Sequence, residues 1–297
     1  MPRLTARLPR LTAALAAAAL AGCAGPSTED MYARTLAAYR AAGMMRTETA
    51  PADAPFGDED LIRNFERIAF NMEFAPGASL VARSTPVDLV KWRGPVRWKL
   101  TGDGAAPRDR EAYRALIARL ETLTGLDFQE VEDDPDVFIL IAGPGLRRAF
   151  LDQLRLAGAE GRIQIIEEWA RNDLYPCVGQ VGRLPQRGGW KNKATIVIKA
   201  ETKGLLRESC IHEELVQTLG LLNDDAEARP SIFNDDQEFA LLTAHDELLL
   251  RILYDPRLRA GMSAEEGMPI VREIVAEIGP GPAPAQVSGT PVRGPRG

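Results

Sequence analysis

The sequence predicts an α+β fold in which short apolar strands alternate with amphipathic helices. Apolar and polar residues alternate over 96–100, as in a strand with one buried face. The apolar run 137–142 predicts a strand that is buried on both faces. Between these strands, apolar residues recur every three or four positions and predict a helix that ends at Gly125. These residues are Tyr113, Leu116, Ile117, Leu120 and Leu123.

The remaining elements are predicted on the same grounds. Helices are predicted at 59–70, 205–220, 241–254 and 263–278, after an N-terminal helix capped by Ser27 or Thr28, and a strand is predicted at 194–200. Residues 144–190 hold helical segments that run into a loop rich in glycine and proline at 181–192. The tail 279–297 has few apolar residues to anchor it and is predicted to be disordered.

The first 22 residues have the layout of an export signal. Three arginines precede an apolar run at 11–20, which is too short to span a bilayer as a permanent helix. The run ends in Leu-Ala-Gly-Cys23, which resembles the bacterial lipobox. The resemblance implies that Cys23 carries a palmitate-type lipid anchor, and Ala24 implies an outer-membrane lipoprotein facing the periplasm. An ordinary signal peptide followed by a chance cysteine is the alternative.

The composition is that of a globular protein and argues against two classes of partner. Charged residues make up 26% and hydrophobic residues 45% of the sequence, which is ordinary for a folded domain. The net charge of −6 and the isoelectric point near 5.2 argue against nucleic acid and against anionic lipid headgroups as partners.

Three cysteines are present, and the predicted compartment makes two of them informative. With Cys23 assigned to the lipid, Cys177 and Cys210 remain as a pair. Because a disulfide is the default for such a pair in an oxidising compartment, we predict a bond between them. Two buried thiols and ligation of a metal are the alternatives.

The densest group of polar residues within an apolar frame begins at Glu213. Glu213 and Gln217 are four residues apart and therefore share one helix face, with Glu214 beside them. Gly220 suits the left-handed turn that ends a helix, and Asn223 follows where the chain can return towards the same face. The pattern indicates a candidate site, and a solvated helix face is the alternative.

This layout resembles the metzincin zinc peptidases, and most closely their matrixin branch. The family motif HExGHxLGLxHD corresponds here to EELVQTLGLLND, in which the Leu-Gly-Leu frame and Asp224 match. The general-base glutamate of the family falls on Glu214, the candidate catalytic residue. All three zinc histidines are replaced, by Glu213, Gln217 and Asn223. These three residues and Asp224 are the candidate binding residues.

The sequence around the motif extends the resemblance to 96–254. The turn Ser231-Ile-Phe233-Asn234 is similar to the Met-turn of the family and is expected beneath the site. The segment 242–254 is similar to the closing helix of the matrixins, and the preceding strands and helices come in matrixin order. The resemblance implies a twisted mixed β-sheet packed on an active-site helix and a closing helix.

A second resemblance covers most of the chain. The arrangement C…EExxQxLGLxND…SIFND…YDPRLxxGM resembles DUF2927, a family of proteobacterial lipoproteins of unknown function. We therefore predict a metzincin-like, DUF2927-like domain over 59–262, with an insertion at 144–190. Residues 23–58 are interpreted as an N-terminal helical tether and 263–278 as a terminal helix.

The replaced ligands change the chemistry that the metzincin resemblance implies. One carboxylate and two amides in place of three imidazoles are hard oxygen donors, which suit Ca²⁺, Mg²⁺ or Mn²⁺ better than zinc. We therefore expect no zinc, and at most one of these cations at Glu213, Gln217 and Asn223. The expected protein is a pseudoenzyme that binds a peptide, a cell-wall fragment or an envelope protein.

Two alternatives remain open, and other polar residues are assigned to structure. The protein is a hydrolase or peptidase of altered chemistry with Glu214 as base, or it is purely structural. His212 and His245 are interpreted as structural or surface groups, and Asp235 and Asp236 as caps of their loop.

Overall fold

A computed structural model describes residues 25–281 except 75–79, 81–82, 157–162 and 187–188. In these residues the chain forms eight helices and seven strands. The helices are α1 (Thr28–Ala41), α2 (Asp58–Ala69), α3 (Pro107–Thr124), α4 (Pro144–Leu156), α5 (Gln164–Arg171), α6 (Gly204–Thr218), α7 (Ala244–Tyr254) and α8 (Ala264–Ile278). The strands are β1 (Asn71–Met72), β2 (Thr85–Pro86), β3 (Val96–Thr101), β4 (Phe128–Glu130), β5 (Val137–Ala142), β6 (Cys177–Gln186) and β7 (Gly189–Lys199).

Five strands form one mixed sheet in the order β4-β3-β5-β7-β6. Strands β4, β3, β5 and β7 are parallel to one another, and β6 pairs antiparallel with β7 at the edge. Strands β1 and β2 form a separate antiparallel pair. The predicted α+β class, with a mixed sheet, is confirmed.

The central strand β5 shows why both faces of the sheet are covered. Ile139 and Ile141 pack into a core with helices α2, α3, α6, α7 and α8. Leu140 and Ala142, which point the other way, pack against α4 and α5. A strand that is covered on both faces needs apolar residues at every position, which explains the uninterrupted apolar run.

The helix ends follow the local sequence signals. The Ser27 side chain accepts a hydrogen bond from the Asp30 peptide N–H and caps α1. Helix α3 begins with Pro107 and ends at Gly125, whose φ of 69° is the left-handed conformation expected for a glycine in this position.

The predicted loop at 181–192 is wrong. Strands β6 and β7 continue through most of this segment and pair as far as Gln186 and Gly189. Glycine and proline usually interrupt strands, but the outer edge of β6 needs no ladder partner, so Pro185 is tolerated there. The insertion 144–190 thus supplies two helices and the edge strand.

The segment interpreted as a tether is packed on the body of the protein. Tyr32 of α1 is buried in a small core with Leu205 and Leu206 at the start of α6. Further along, the Met45 peptide N–H donates to the carbonyl oxygen of Gln237 at 2.9 Å. The tether interpretation therefore does not hold for these residues, because their apolar side chains are buried by the domain.

Predictions for the two ends of the chain lie largely outside the described residues. These are the export signal with Cys23, and the tail over 282–297. At the start of the tail, the Gly281 peptide exchanges two hydrogen bonds with Asp58 of α2, each 2.9 Å long. None of the helices in the described ranges combines the length and the apolar character needed to cross a membrane.

Candidate functional site

Helix α6 carries most of the candidate site, and buried polar contacts fix its first half. The Arg207 guanidinium forms an ion pair with Asp109 of α3 (3.0 Å) and donates to the Thr202 hydroxyl (2.7 Å). The two charged residues are only 3% and 2% exposed. Because a buried charge is tolerated when it is paired and hydrogen-bonded, these contacts can hold α6 against α3 without an unpaired charge.

The predicted disulfide is confirmed and fastens the edge strand to this helix. Cys177 is the first residue of β6, and Cys210 lies in the middle of α6. Two residues along β6, Gly179 lies directly against the helix. A Cβ at this position would come within 2.8 Å of Glu214 Oε2 and within 3.2 Å of the Glu214 carbonyl oxygen. Strand and helix therefore touch at Glu214 with no space for a side chain between them.

Gly220 ends the site helix in a turn that only glycine accommodates. Its φ is 124°, and a Cβ there would lie 2.0 Å from the carbonyl oxygen of Val90. After the turn, the peptide N–H groups of Leu222 and Asn223 both donate to the carbonyl oxygen of Ile68 in α2. The chain is thus led from the end of α6 to the end of α2.

Four carboxyl groups have a pKa that is raised by burial and by the charges of one another or of Asp235. We call these four groups and Asp235 the acidic cluster: Glu73, Glu213, Glu214, Asp224 and Asp235. They come from three segments of the chain, namely the residue after β1, the second half of α6, and the loop between α6 and α7.

Glu73 joins the cluster through backbone and side-chain contacts at the end of α6. Its peptide N–H donates to the carbonyl oxygen of Leu222 at 2.9 Å. The Gln217 side chain lies close enough to the Glu73 carboxyl group to oppose the rise in its pKa. Gln217 therefore contacts the cluster through Glu73, and a residue far away in the sequence becomes part of the candidate site.

Burial and mutual repulsion disfavour the charged forms of these groups. Burial, followed by the charges of Asp224, Glu213 and Asp235, raises the pKa of Glu73 to about 9, against the opposing effect of the Gln217 side chain. Burial and Asp235 raise the pKa of Asp224 to about 7.

The two glutamates of α6 are shifted in the same direction. Burial and then the charge of Asp224 raise the pKa of Glu213, while burial and then Glu73 raise that of Glu214. The Gly179 peptide opposes the shift of Glu214 through a hydrogen bond. At neutral pH the cluster therefore holds part of its protons unless a positive charge enters it.

Nothing in the described ranges compensates this charge. No Lys, Arg or His side chain there forms an ion pair with a member of the cluster, and Arg67 pairs instead with Asp225 and Glu227. Asp224 Oδ1 is buried without a hydrogen-bond partner in this part of the chain. No three His, Cys, Asp or Glu side chains converge there as metal ligands. The cluster is thus a concentration of oxygen donors without a formed coordination sphere.

The structure does not bring the Asn223 side chain to the other candidate ligands in a ligating role. Its amide nitrogen donates to the carbonyl oxygens of Arg67 (3.0 Å) and Asp224 (2.8 Å). Asn223 is therefore committed to holding the chain against α2. The next residue, Asp224, contributes the carboxylate that joins Glu213 in the cluster.

The two histidines lie in contacts outside the cluster. His212 Nδ1 accepts a hydrogen bond from the Leu242 peptide N–H (3.1 Å), and burial, followed by the charge of Arg119, lowers its pKa to about 4. His245 is fully buried, with Nε2 3.0 Å from the Asn64 amide nitrogen and its ring edge-to-face with Phe56. Their contacts fit structural roles.

The turn over 231–234 is held in place by a buried carboxylate of α7. Asp246 accepts hydrogen bonds from the Ser231 hydroxyl (2.5 Å), the Ile232 peptide N–H (3.1 Å) and the Thr243 hydroxyl (2.8 Å). Phe233 is fully buried in the core, and the Asn234 amide donates to two backbone carbonyl groups of the same loop. These residues shape the loop that carries Asp235.

Glu73 is not among the site residues predicted from the sequence, and Asp235 is predicted only as a cap of its loop. A sequence signal for Asp235 does exist. It directly follows the predicted turn over 231–234, and the pair Asp224-Asp225 precedes that turn in the same loop, so acidic residues stand on both sides of the turn. Glu73 carries no local signal, because only the pairing of its backbone with Leu222 brings it to α6.

Comparison with known proteins identifies the family. No curated protein sequence matches the chain. A family described as "Protein of unknown function (DUF2927)" matches residues 58–273, which include the disulfide, the acidic cluster and the turn over 231–234. The match covers well over half of the chain, and so the chain belongs to the DUF2927 family of proteins of unknown function.

Proposed function

We propose that this protein is an outer-membrane lipoprotein facing the periplasm, with a metzincin-like domain that has lost zinc catalysis. In this proposal it acts as a binding or scaffold protein of the cell envelope, with a peptide, a cell-wall fragment or an envelope protein as partner. The observation that carries the proposal is the commitment of Asn223 to the backbone of α2, at the position of the third zinc histidine in the resembling motif.

The order of the elements supports the metzincin-like part of the proposal. Strand β3, helix α3, strands β4 and β5, strand β7 and helix α6 follow one another as in the matrixin order of the resemblance. Helix α6 ends in the Gly220 turn, and the loop over 231–234 is anchored to α7, the counterpart of the closing helix. These features favour a common architecture with different chemistry.

The residues at the ligand positions do not fit zinc. Zinc in peptidases is held by imidazole nitrogens that leave one open position for water. Glu213 and Gln217 offer oxygen atoms only, the Asn223 amide is engaged elsewhere, and His212 faces Leu242. We therefore derive no zinc-dependent step for this domain.

The disulfide supports export, since disulfides persist in oxidising compartments and are rare in the cytosol. Fractionation of cells that produce Cys23→Ser tests the anchor. Release of this variant from the membrane pellet is the expected result. A variant that pellets with the membrane as the parent does would contradict the lipoprotein part of the proposal.

Elemental analysis tests the loss of zinc. Protein purified without chelators is expected to hold no stoichiometric zinc, and Glu213→His/Gln217→His/Asn223→His is expected to gain it if the backbone is metzincin-like. One zinc per wild-type chain would refute the loss of catalysis. A folded triple variant without zinc would argue against the metzincin-like assignment.

A hydrolase of altered chemistry is the second candidate function. The observation that favours it is a set of neighbouring carboxyl groups with raised pKa values, among them Asp224 at about 7, as acid and base catalysts require. In this case Glu214 is the base. Hydrolysis of peptide or cell-wall substrates by the wild type, but not by Glu214→Gln, would favour the enzyme over the binding protein.

A further inference from the structure

We propose that the loop over 172–176 is a membrane-contacting surface, in which the side chain of Leu174 inserts into the interface of a zwitterionic phospholipid bilayer. The inference rests on the proposed function, because the lipid at Cys23 is what brings this surface to the bilayer. It adds to the lipid a second contact, made by the folded domain, and so names the face that the domain turns towards the membrane.

The loop lies beside the start of helix α1, where the chain runs back towards Cys23. The Thr28 hydroxyl donates a hydrogen bond to Asp173 Oδ2 (3.1 Å). Leu174 is the next residue of the loop, and Cys23 stands five positions before Thr28 in the sequence. Because so few residues connect the proposed lipid to this contact, the lipid and Leu174 are kept on the same side of the domain.

Leu174 is unusually exposed for a large apolar side chain of this protein. Its exposed fraction is 77%, and the other large apolar side chains exposed in the described ranges are Leu156 and Ile278. These two are the last residues of α4 and α8, whereas Leu174 follows a residue that is bonded to the start of α1. Since single exposed leucines are common on protein surfaces, it is this position that singles out Leu174.

Buried contacts hold the loop in one conformation. The Lys199 side chain is fully buried, and its Nζ donates to the carbonyl oxygen of Asn172 (2.6 Å) and to Asp173 Oδ1 (2.9 Å). The Asn172 side chain in turn accepts a hydrogen bond from the Leu174 peptide N–H (3.0 Å). A loop that is fixed in this way presents Leu174 to the bilayer with little further loss of conformational freedom.

The loop and helix α1 are also held by the same helix, α6. Cys177, which directly follows the loop, is bonded to Cys210 in the middle of α6. Tyr32 of α1 packs against Leu205 and Leu206 at the start of α6. The membrane-contacting surface and the end of the chain that carries the proposed lipid are therefore parts of one packed unit.

The charged side chains around this surface indicate which lipid it fits. Arg171 is exposed just before the loop, and Lys203 lies 3.9 Å from Glu29 in the first turn of α1, which also contains Asp30. The charges of these four side chains cancel, so the surface offers no excess positive charge to anionic headgroups. Insertion of an apolar side chain into a zwitterionic interface therefore fits better than electrostatic adsorption.

An introduced cysteine can report this contact, because the natural cysteines are occupied. In the mature lipoprotein Cys23 carries the lipid and Cys177 is bonded to Cys210, so Leu174→Cys supplies a free thiol. The thiol is labelled with a fluorophore whose emission depends on polarity, and the full mature protein is reconstituted into phosphatidylcholine vesicles. We expect emission at shorter wavelength than in water, and quenching when the acyl chains are brominated.

Ile278→Cys with the same fluorophore is the matched control. It also replaces an exposed apolar residue, but α8 belongs to the core on the other face of the sheet from α5 and the loop. We expect the label at this position to emit as in water and to escape quenching. Both replaced side chains are exposed, so the Tm of each variant should equal that of the wild type, which checks the fold.

The outcomes separate the inference from the proposed function. Emission and quenching at position 174 that match those at position 278 overturn the membrane-contacting surface, while the lipoprotein proposal stands. The mass of the mature protein tests the lipid at Cys23 separately. A mature chain without that lipid overturns the lipoprotein part of the proposed function, and with it the inference.

Discussion

The two halves of helix α6 differ in whether their charged side chains have a counter-ion. In the first half, the Arg207 guanidinium has Asp109 as its counter-ion and also donates to the backbone carbonyl groups of Lys199, Ala200 and Thr202. In the second half, Glu213 and Glu214 face further carboxyl groups and no cation in the described ranges.

This difference separates positions that serve the fold from positions that are open to a ligand. A charged group that is paired and hydrogen-bonded within the protein stabilises one arrangement and has no donor free for a ligand. A group of like charges lowers the stability of the unliganded protein, and is expected to persist where a ligand compensates it. The comparison predicts that neutralising substitutions have opposite effects on stability in the two halves.

The largest effect is expected for Asp109→Ala in the first half. The substitution leaves the Arg207 charge buried without its counter-ion, which costs about 3–5 kcal/mol of unfolding free energy. Urea unfolding measures the loss. The double variant Asp109→Leu/Arg207→Met, which removes both charges, is expected to recover most of it, and an equal loss in both variants would contradict the electrostatic explanation.

The disulfide sits at the boundary between the halves and should come next in size. Replacing Cys177 and Cys210 by serine opens a loop with a sequence separation of 33 residues. Loop-closure entropy then predicts a loss of about 3–4 kcal/mol. Denaturant unfolding of Cys177→Ser/Cys210→Ser, beside reduced wild-type protein, checks the value, and similar losses are expected in both. Full stability after reduction would contradict a structural role for the bond.

In the second half, Glu73→Gln should stabilise the protein at high pH. The pKa of Glu73 rises from 4.5 to about 9 on folding, so the folded state binds the proton more tightly. Stability from this group is complete below about pH 4.5 and is lost as the pH rises towards 9. At pH 8 we therefore expect Glu73→Gln to have a larger free energy of unfolding than the wild type.

The stability of Glu73→Gln should also vary less between pH 5 and pH 9 than that of the wild type. Unfolding curves at several pH values measure this slope, and Glu111→Gln is the matched control because it removes an exposed carboxylate of α3. A destabilised Glu73→Gln at pH 8 would contradict the opposite signs of the two halves.

The smallest effect is expected for His212, which belongs to neither group of charges. Its pKa falls from 6.5 to about 4 on folding, so its contribution to stability is present above about pH 6.5 and is lost as the pH falls towards 4. His212→Asn keeps an acceptor near the Leu242 peptide, and its unfolding free energy should lack this dependence on pH. Parallel pH profiles of the two proteins would contradict the prediction.

Sequence patterns predict the elements whose signals are local. Periodicity and composition predict strand β5, helix α3 with its end at Gly125, helix α6 and the cysteine pair. They do not predict the edge strand β6, because its glycine and proline residues favour a loop locally. Only its position at the edge of the sheet permits these residues to pair as a strand.

The candidate site was predictable only as far as helix α6 extends. Glu213, Glu214 and Gln217 share a helix region, so their spacing indicates a site. Glu73 depends on a backbone contact with Leu222 across a long sequence separation, and Asn223 is diverted by the carbonyl oxygen of Arg67. Such contacts depend on how the chain packs after the helix ends. The spacing of apolar residues in the sequence does not predict this packing.

The packing of α1 sets the distance between the body of the protein and the proposed lipid. Ser27 already caps a helix that is buried against the start of α6. Four peptide units separate Cys23 from Ser27, a reach of roughly 14 Å when fully extended. A protein whose linker to the lipid is this short would lie close to the bilayer surface and sample few orientations. Its partners would have to approach along the membrane plane.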